Sequence, residues 1–469
     1  MQITHIGHAS LLVETRGLRI LSDPWWRGPC FGAQWWLYPR PHLATLEERR
    51  LDYIYISHGH EDHFHPGTLK TLDRSATLLV STGASFIPEA RALGFPIMEI
   101  APGECRELAP GVRCRIQPTH DGDTFFTLDD GETVVANLND ALHALPGYAR
   151  RCFIRLLRRW HPRLDYVFCG YAMASHFPNC YRVPGKDHVA SLERRQRFFS
   201  EAWADIIHDL SPRFGFPFAA SVVLLEEALF WSNAAVHNME SPARIFQRRY
   251  PRAATTVLDI EAGFTIADGE IIAGVQKSPL DPVRLREDYR AEIVRANRLP
   301  VTSREAVTAV ADWLGERIQR GQGYFAGFTG DYRLGLRFRD STAGIAITKC
   351  GKSLEVTPVE EMAAAEPFDL LFTSRLGYLR RALTTPHGAD IMFVGSGGIF
   401  EYPDERRAGE GLHEELILML SDQPPGGRWK KRLKRMAKTL LDRDEFDLYN
   451  LQRWLVRRTP PTGSRWSWG

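Results

Sequence analysis

"YIYISHGHEDHFHPGTL", residues Tyr53 to Leu69, holds four histidines and two acids within eight positions, directly behind a run that alternates like a strand. If the extended phase persists through His60, the rings of His58 and His60 face one side, and Asp62 and His63 approach from the turn beyond. Neutral imidazole and ionised carboxylate are ligands for zinc or non-haem iron, and their divided placement suits one or two ions. A chance surface cluster is the competing reading. His65, just past the motif, is expected to orient the loop and not to bind metal, and Pro66 to Leu72 is expected to be helical.

Two further candidates lie downstream. His120 ends the alternating run "CRIQPTH", and Asp140 ends "VVANLND"; a hairpin turn at Asp130-Gly131 between them brings both to one sheet edge. The expected assignment puts His58, His60 and His120 on one metal and Asp62 and His63 on a second, with Asp140 bridging. Asp140 capping a following "ALHAL" helix is the alternative.

Around these motifs, strands are expected at Ile3 to Ile6, Ser10 to Glu14, Leu18 to Ser22, Asp52 to Ser57, Thr77 to Ser81 and 164 to 170, with Gly17 turning a hairpin. His188 to Asp209 has helical periodicity. From about residue 280 a second helical-then-stranded section begins, which divides the chain into a metal-binding unit, 1 to 275, and an α+β accessory domain, 280 to 469. A chain of 469 residues is long enough for such a division.

With 44% hydrophobic and 25% charged residues the chain belongs with globular proteins, and a net charge of +2 gives no general case for nucleic-acid binding. Seven cysteines without close pairing fit a reducing compartment. The opening residues lack a basic leader and an apolar core, and no stretch is long and apolar enough to span a membrane, so a cytoplasmic protein is expected. The basic stretch "RWKKRLKRMAKTLL" from Arg428 is expected to be a solvated helix face, with anionic membrane or nucleic acid as the alternative.

"SHGHEDH" has the HxHxDH pattern of the metallo-beta-lactamase superfamily, and "ITHIGHASLLVE" with "ILSDPW" resembles that superfamily's amino-terminal strands. The resemblance implies an α/β (α+β) protein: an αββα metallo-beta-lactamase-like sandwich with a separate carboxy-terminal α+β domain. It implies metals at one edge between two sheets, with Asp23 and His8 beside the ligands as supporting residues. "HGHEDHFHPGTLKTL", "VANLNDA", "MASHFPNCY" and "LSPRFGFPFAAS" follow in an order that resembles the catalytic portion of the CMP-N-acetylneuraminate hydroxylase family, iron-dependent monooxygenases, over about residues 1 to 270. By motif position this implies metal binding by His58, His60, Asp62, His63, His120 and Asp140, and a substrate side lined by Ser175, His176, Asn179, Tyr181 and Pro217 to Ser221, which includes Phe218 and Ser221.

Two departures qualify that likeness. Many dinuclear superfamily members carry another histidine near "FGFPFAAS", and Phe216 to Ser221 offer none, leaving the second site weak, empty, or completed by His176, His208 or water. No cysteine here sits in the Cys-x-His and Cys-x-x-His set of a Rieske cluster, which those hydroxylases carry. An oxygenase of this kind would draw electrons from a separate donor, a cofactor or the substrate.

His176 has the local company of a pocket residue and is a candidate acid-base catalyst together with Asp140, with His237 a further pocket candidate. The leading expectation is a non-haem iron oxygenase, with one or two iron ions, acting on a small polar or anionic metabolite. The alternative is a dinuclear zinc or manganese hydrolase of a phosphodiester, lactone or amide. A third is a lipid-binding or interaction protein with a structural metal, since "DLLFTSRLGYLRRAL" followed by "ADIMFVGSGGIF" weakly resembles sterol-carrier-like domains. "WWRGPCFGAQWWLYPRPH" either frames a substrate pocket or anchors a long loop.

Overall fold

The computed structural model describes residues 1–420 other than 47–49, 120–121, 146, 173–174, 275–276, 322–324, 326–329, 363–366 and 385–387. His120 and the basic stretch from Arg428 therefore lie outside the described residues. Two sheets form the first body. One has eight strands, in the order Glu270–Ala273, Thr265–Ala267, Gln2–Gly7, Ser10–Thr15, Leu18–Ser22, Tyr53–Tyr55, Thr77–Ser81, Ile97–Ile100. The other has seven: Thr256–Val257, Phe214–Phe218, Tyr166–Gly170, Val134–Asn139, Thr124–Asp129, Val112–Pro118, Arg106–Ala109.

Side-chain alternation along each strand explains why the sheets stack. Ile3, Leu11, Val13, Ile20, Tyr55 and Leu79 face inward, onto Ile116, Phe126, Phe168 and Phe216 of the second sheet. Their neighbours Leu12, Leu21, Ile54, Leu78 and Val80 point outward and are covered by Phe64, Leu69, Phe86 and Ile87, around the short helices Pro66–Leu69 and Ile87–Ala92. The second sheet's outer residues, among them Leu138 and Val167, are covered by Trp203 and Ile207 of the helix His188–Leu210. Both faces of the central strands of each sheet are buried, so these strands read as nearly continuous apolar runs. The result is the αββα sandwich.

Local signals set the turns. Arg16 and Gly17, at φ +44° and +82°, link Thr15 to its partner Leu18, the paired left-handed conformation that suits a two-residue hairpin. Asp187 accepts from the amide of Ala190 and caps the helix predicted over 188–209. The helix that Asp140 would cap in the alternative reading does not form: residues 141–144 are turns and 145 a bend, and the next helix is Gly147–Trp160.

A third sheet of six strands runs Tyr181–Arg182, Ile399–Glu401, Leu370–Ser374, Tyr332–Phe338, Gly344–Cys350, Ser353–Val359. Its edge strand comes from the first half of the chain: Tyr181 pairs with Phe400 and Arg182 with Glu401. Phe177, Cys180, Tyr181 and Val183 lie in one apolar cluster with Leu334, Phe372, Leu379 and Leu416. Conversely, the helices Pro282–Asp288 and Arg290–Asn297 bury Leu285, Tyr289 and Ala296 against Trp36, Val223 and Phe230. The two bodies thus exchange elements across the boundary near residue 280.

Candidate metal centre

Strand direction assembles the site. Gln2–Gly7 and Leu18–Ser22 are each antiparallel to Ser10–Thr15, and Tyr53–Tyr55 runs parallel to Leu18–Ser22. His8, Asp23 and Ser57-His58 therefore emerge at the same edge. In the second sheet Val134–Asn139, Tyr166–Gly170 and Phe214–Phe218 are mutually parallel, which brings Asp140, Tyr171 and Ala219 to one edge as well. The carboxyl ends of strands are where α/β sheets present their ligand-binding loops.

Asp23 organises the centre. Wholly buried, it accepts from the Ser57 amide at 2.8 Å and the Ser57 hydroxyl at 2.8 Å, and it bonds His63 Nδ1 at 3.1 Å. Asn139 Nδ2 donates to the same carboxylate and, at 2.8 Å, to Ser57 Oγ, tying the two sheet edges together. With Nδ1 engaged, His63 presents Nε2 to Asp62 Oδ2 at 3.2 Å and to Asp140 Oδ2 at 3.4 Å. His8 Nε2 lies 3.1 Å from Asp62 Oδ2.

Two groups result whose ligand atoms all lie within 4.8 Å of one another: His8, Asp62 and His63, and His58, His63 and Asp140. His60 stands beside the latter, its Nδ1 2.8 Å from His58 Nε2. The donors fit a metal ion. Asp62 Oδ1 is buried without a hydrogen-bond partner, and His63 Nε2 meets its two carboxylate neighbours as ion-pair contacts without an aligned hydrogen bond, which is costly unless something else satisfies them. Nitrogen and carboxylate oxygen at this spacing are the ligand types of zinc, manganese or iron sites, and one or two ions can be held.

Electrostatics agree. Burial pushes His58 down to about 4, so its ring is neutral and able to ligate. Burial opposes ionisation of Asp62 and Asp140, but interactions with His63 outweigh it and hold both carboxyls well below their usual range. Burial likewise opposes charge on His63, and Asp62, Asp140 and Asp23 outweigh it, raising its proton affinity well above normal.

Sequence reasoning placed His8 only beside the cavity; the geometry instead inserts it into the group with Asp62 and His63. Ala219, at the strand end without a histidine, donates its amide to the His8 carbonyl at 3.1 Å. Trp25 and Trp35 pack edge-on against the His8 ring, at 5.3 and 6.5 Å between centroids. Neither proposed substitute reaches the centre. His208 stacks on Tyr250 at the surface. His176 bonds the Phe393 carbonyl at 2.9 Å and lies among Tyr181, Phe393 and Phe400.

Of the residues expected on the substrate side, Ser175 bonds Arg195, Asn179 reaches Ser396, and Tyr181 packs in the core of the third sheet beside His176. Phe218, Ser221 and His237 do come together, lining a small cavity with Tyr171, Glu261 and Lys277. His65 accepts from the Thr68 amide and caps the helix that follows, away from the ligand groups.

Sequence reasoning missed Ser57 and Asn139, whose hydroxyl and amide side chains carry no metal signature. It also missed His143, which bonds the Ala172 carbonyl at 3.0 Å. Gly170 explains its closeness to Asp140: a Cβ there would meet Asp140 Oδ1 at 2.9 Å and His143 Nδ1 at 3.3 Å. The tryptophan-rich loop is anchored, with Trp35–Leu37 paired to Val222–Leu224 and Arg40 held by Glu292. No helix among the described residues is long and apolar enough to cross a membrane.

Residues 2–146 match the Beta-lactamase superfamily domain. Among curated proteins, a Rieske 2Fe-2S iron-sulfur protein of Mycolicibacterium smegmatis is 29% identical over 216 residues, 42% of this chain and 39% of that protein. The cytidine monophosphate-N-acetylneuraminic acid hydroxylase of Mus musculus is 41% identical over 75 residues, 16% of this chain and 13% of that enzyme. The matched stretches span less than half of either relative. Among solved structures, Igni18, a metallo hydrolase from Ignicoccus hospitalis, aligns with a TM-score of 0.39 at 18% identity, covering 56% of this chain and 97% of that one. CmlA, a diiron beta-hydroxylase from Streptomyces venezuelae, aligns with a TM-score of 0.38 at 18% identity, covering 56% and 53%. The match over residues 2–146, together with the two stacked sheets and their covering helices, gives the amino-terminal body the metallo-beta-lactamase fold, with a group of candidate metal ligands at one edge of its sandwich.

Proposed function

We propose that the protein is a dinuclear metal-dependent hydrolase of a phosphodiester, lactone or amide. The observation that carries this reading is the place of His8 beside Asp62 and His63. It supplies the nitrogen ligand that the late strand lacks and makes a complete second site. An imidazole nitrogen binds one ion, and Asp23 occupies the other nitrogen of His63, so His63 belongs to a single site. On this reading His58 and His60 would hold one ion, with His120 of the sequence motif, and His8, Asp62 and His63 would hold the other, with Asp140 available to both.

Metals held there would polarise a scissile carbonyl or phosphoryl group and lower the pKa of a coordinated water, with zinc or manganese the suitable ions. The chain's own residues do the rest. His63 holds the Asp140 carboxyl well below its usual range against the effect of burial, so it is ionised and offers its oxygens as acceptors. Asp23 fixes the orientation of His63, the outer-sphere carboxylate contact that metal-bound histidines generally need. Trp25 and Trp35 shield the His8 side from water. Turnover of generic phosphodiesters and lactones without oxygen, dependent on added metal, is the expected result. Turnover only with oxygen and a reductant contradicts it.

That second outcome corresponds to the iron oxygenase reading, which the similarity to the Mus musculus hydroxylase favours. There the same ligands would hold iron, and a separate donor would supply electrons.

A further inference from the structure

A second cavity, of about 580 Å³, lies where the third sheet meets the first body, apart from the metal groups. Its volume falls within the range of small-molecule sites, and such sites favour domain junctions. Ala228 lines it from the first body; Arg182 lines it from the third sheet's edge strand, Arg337, Thr373 and Glu401 from its other strands and Arg339 from just past one of them, with Phe338 and Ile399 as its apolar part.

The charges do not balance. Arg337 is paired with Glu401, which also accepts from Thr373 Oγ1 at 2.8 Å. Arg339 is paired with the buried Glu226, but Arg375 claims the same carboxylate at 2.6 Å, and Gln34 donates to it as well. Among the described residues, Arg182 has no carboxylate within ion-pair distance; its donors go to the carbonyls of Asn179, Tyr181 and Ala228 at 2.7 to 2.9 Å. Four guanidinium groups therefore share two carboxylates. Arg339 Nη2 is in addition buried without a hydrogen-bond partner.

Carbonyl bonds hold the Arg182 fork in place without neutralising it, and the Thr373 hydroxyl fixes Arg337 Nε at 3.0 Å. A surplus of positive charge in a half-enclosed, partly apolar cavity is unfavourable unless an anion completes it. Planar guanidinium forks are matched to carboxylate and phosphate oxygens.

We propose that this junction cavity binds a small organic dianion, whose phosphate monoester or dicarboxylate head lies among Arg182, Arg337 and Arg339 and whose apolar part rests on Phe338 and Ile399. The site is independent of the reaction at the metal edge. Anion binding there would tie the third sheet's edge strand, which carries Arg182 bonded to the Ala228 carbonyl of the first body, to the interior strand that carries Arg337 and leads to Arg339.

The test uses the full, metal-loaded chain in calorimetric titrations with inorganic phosphate and, separately, succinate, at matched ionic strength. The expected result is a saturable component for at least one probe that weakens about tenfold or more in both Arg182→Gln and Arg337→Gln, with metal content unchanged. Phosphate held by the metals themselves persists in both variants and so is told apart. The probe that shows the arginine-dependent component identifies the head group. If Arg182→Gln fails to fold, Arg337→Gln, at the rim, decides the matter alone. Absence of saturable binding by both probes, or parental binding in the folded variants, overturns the proposal.

Discussion

At the scale of single residues, the metal centre rests on what His8, Asp23 and His63 do for one another. If His8 is a ligand of the second ion, His8→Ala loses about one equivalent of metal while retaining the other, as elemental analysis of the purified variant would show. Asp23→Ala acts one bond further out: it frees His63 to turn, and a drop of about 10- to 100-fold in metal affinity is expected from a competition titration. The pH dependence follows from His63. Its proton affinity is raised by Asp62, Asp140 and Asp23 against the opposing effect of burial. In the metal-free protein the His63 contribution to stability is fully present below its ordinary pKa and is lost as pH rises through the raised value. A metal must displace that proton, so affinity should rise with pH by up to about tenfold per unit until His63 is neutral, with proton release measurable in buffers of different ionisation enthalpy. Affinity that stays flat from about pH 6 to about pH 9 would contradict this. His58, already neutral above about 4, contributes nothing to that slope.

These residues also show how far the sequence could be read. The cluster His58, His60, Asp62 and His63 is contiguous, so its chemistry is visible in the composition of one loop. Asp140 was legible because a strand ends there. His8 lies 54 residues from Asp62. Its signal was topological: His8 and Ala9 turn the first hairpin, and two antiparallel steps followed by a parallel one return the later motif to that edge. Ser57 and Asn139 act through hydrogen bonds that ordinary polar residues make anywhere, and no spacing rule distinguishes them.

At the scale of elements, the helix Leu376–Thr384 of the carboxy-terminal body reaches the metal loop. Tyr378 donates to the Gly32 carbonyl, Gln34 donates to Tyr378 Oη at 2.9 Å, and Arg381 pairs with Glu61, the residue between His60 and Asp62, at 2.7 Å. The Arg381 pair is half exposed, and Arg381→Ala should cost no more than about 1 kcal/mol. Glu226 is different. It is buried between Arg339 and Arg375, and Glu226→Ala leaves two guanidinium groups without their counter-charge. A loss of about 3 to 5 kcal/mol in chemical denaturation is expected, against near-parental stability for Arg381→Ala. Helices and strands were mostly legible here because alternation and end-caps declare them. His176, Asn179 and Tyr181 were harder to read, because a pocket-like composition and a buried junction look alike: both combine aromatic rings, small residues and proline.

At the scale of the molecule, elements from either side of the division expected near residue 280 pack against one another. The strand Tyr181–Arg182 completes the later sheet, and the helices at 282–297 cover the earlier body. A chain ending at residue 275 would expose Phe177, Tyr181 and Val223, all buried in the intact protein. It should aggregate or unfold well below the full chain in thermal scans; a monomer as stable as the parent would contradict the shared core. Pattern switches along a sequence report where elements change type, whereas exchanged strands depend on contacts distant along the chain.

The claim on which the rest depends is that the carboxyl ends of both sheets converge on two ions. Anomalous diffraction from crystals of the metal-loaded protein tests it directly. Two peaks are expected, about 3.5 to 4 Å apart, one beside His58 and His60, the other beside His8, Asp62 and His63, with Asp140 between them. A single peak with His8 uncoordinated, or no peak at this edge, would contradict it.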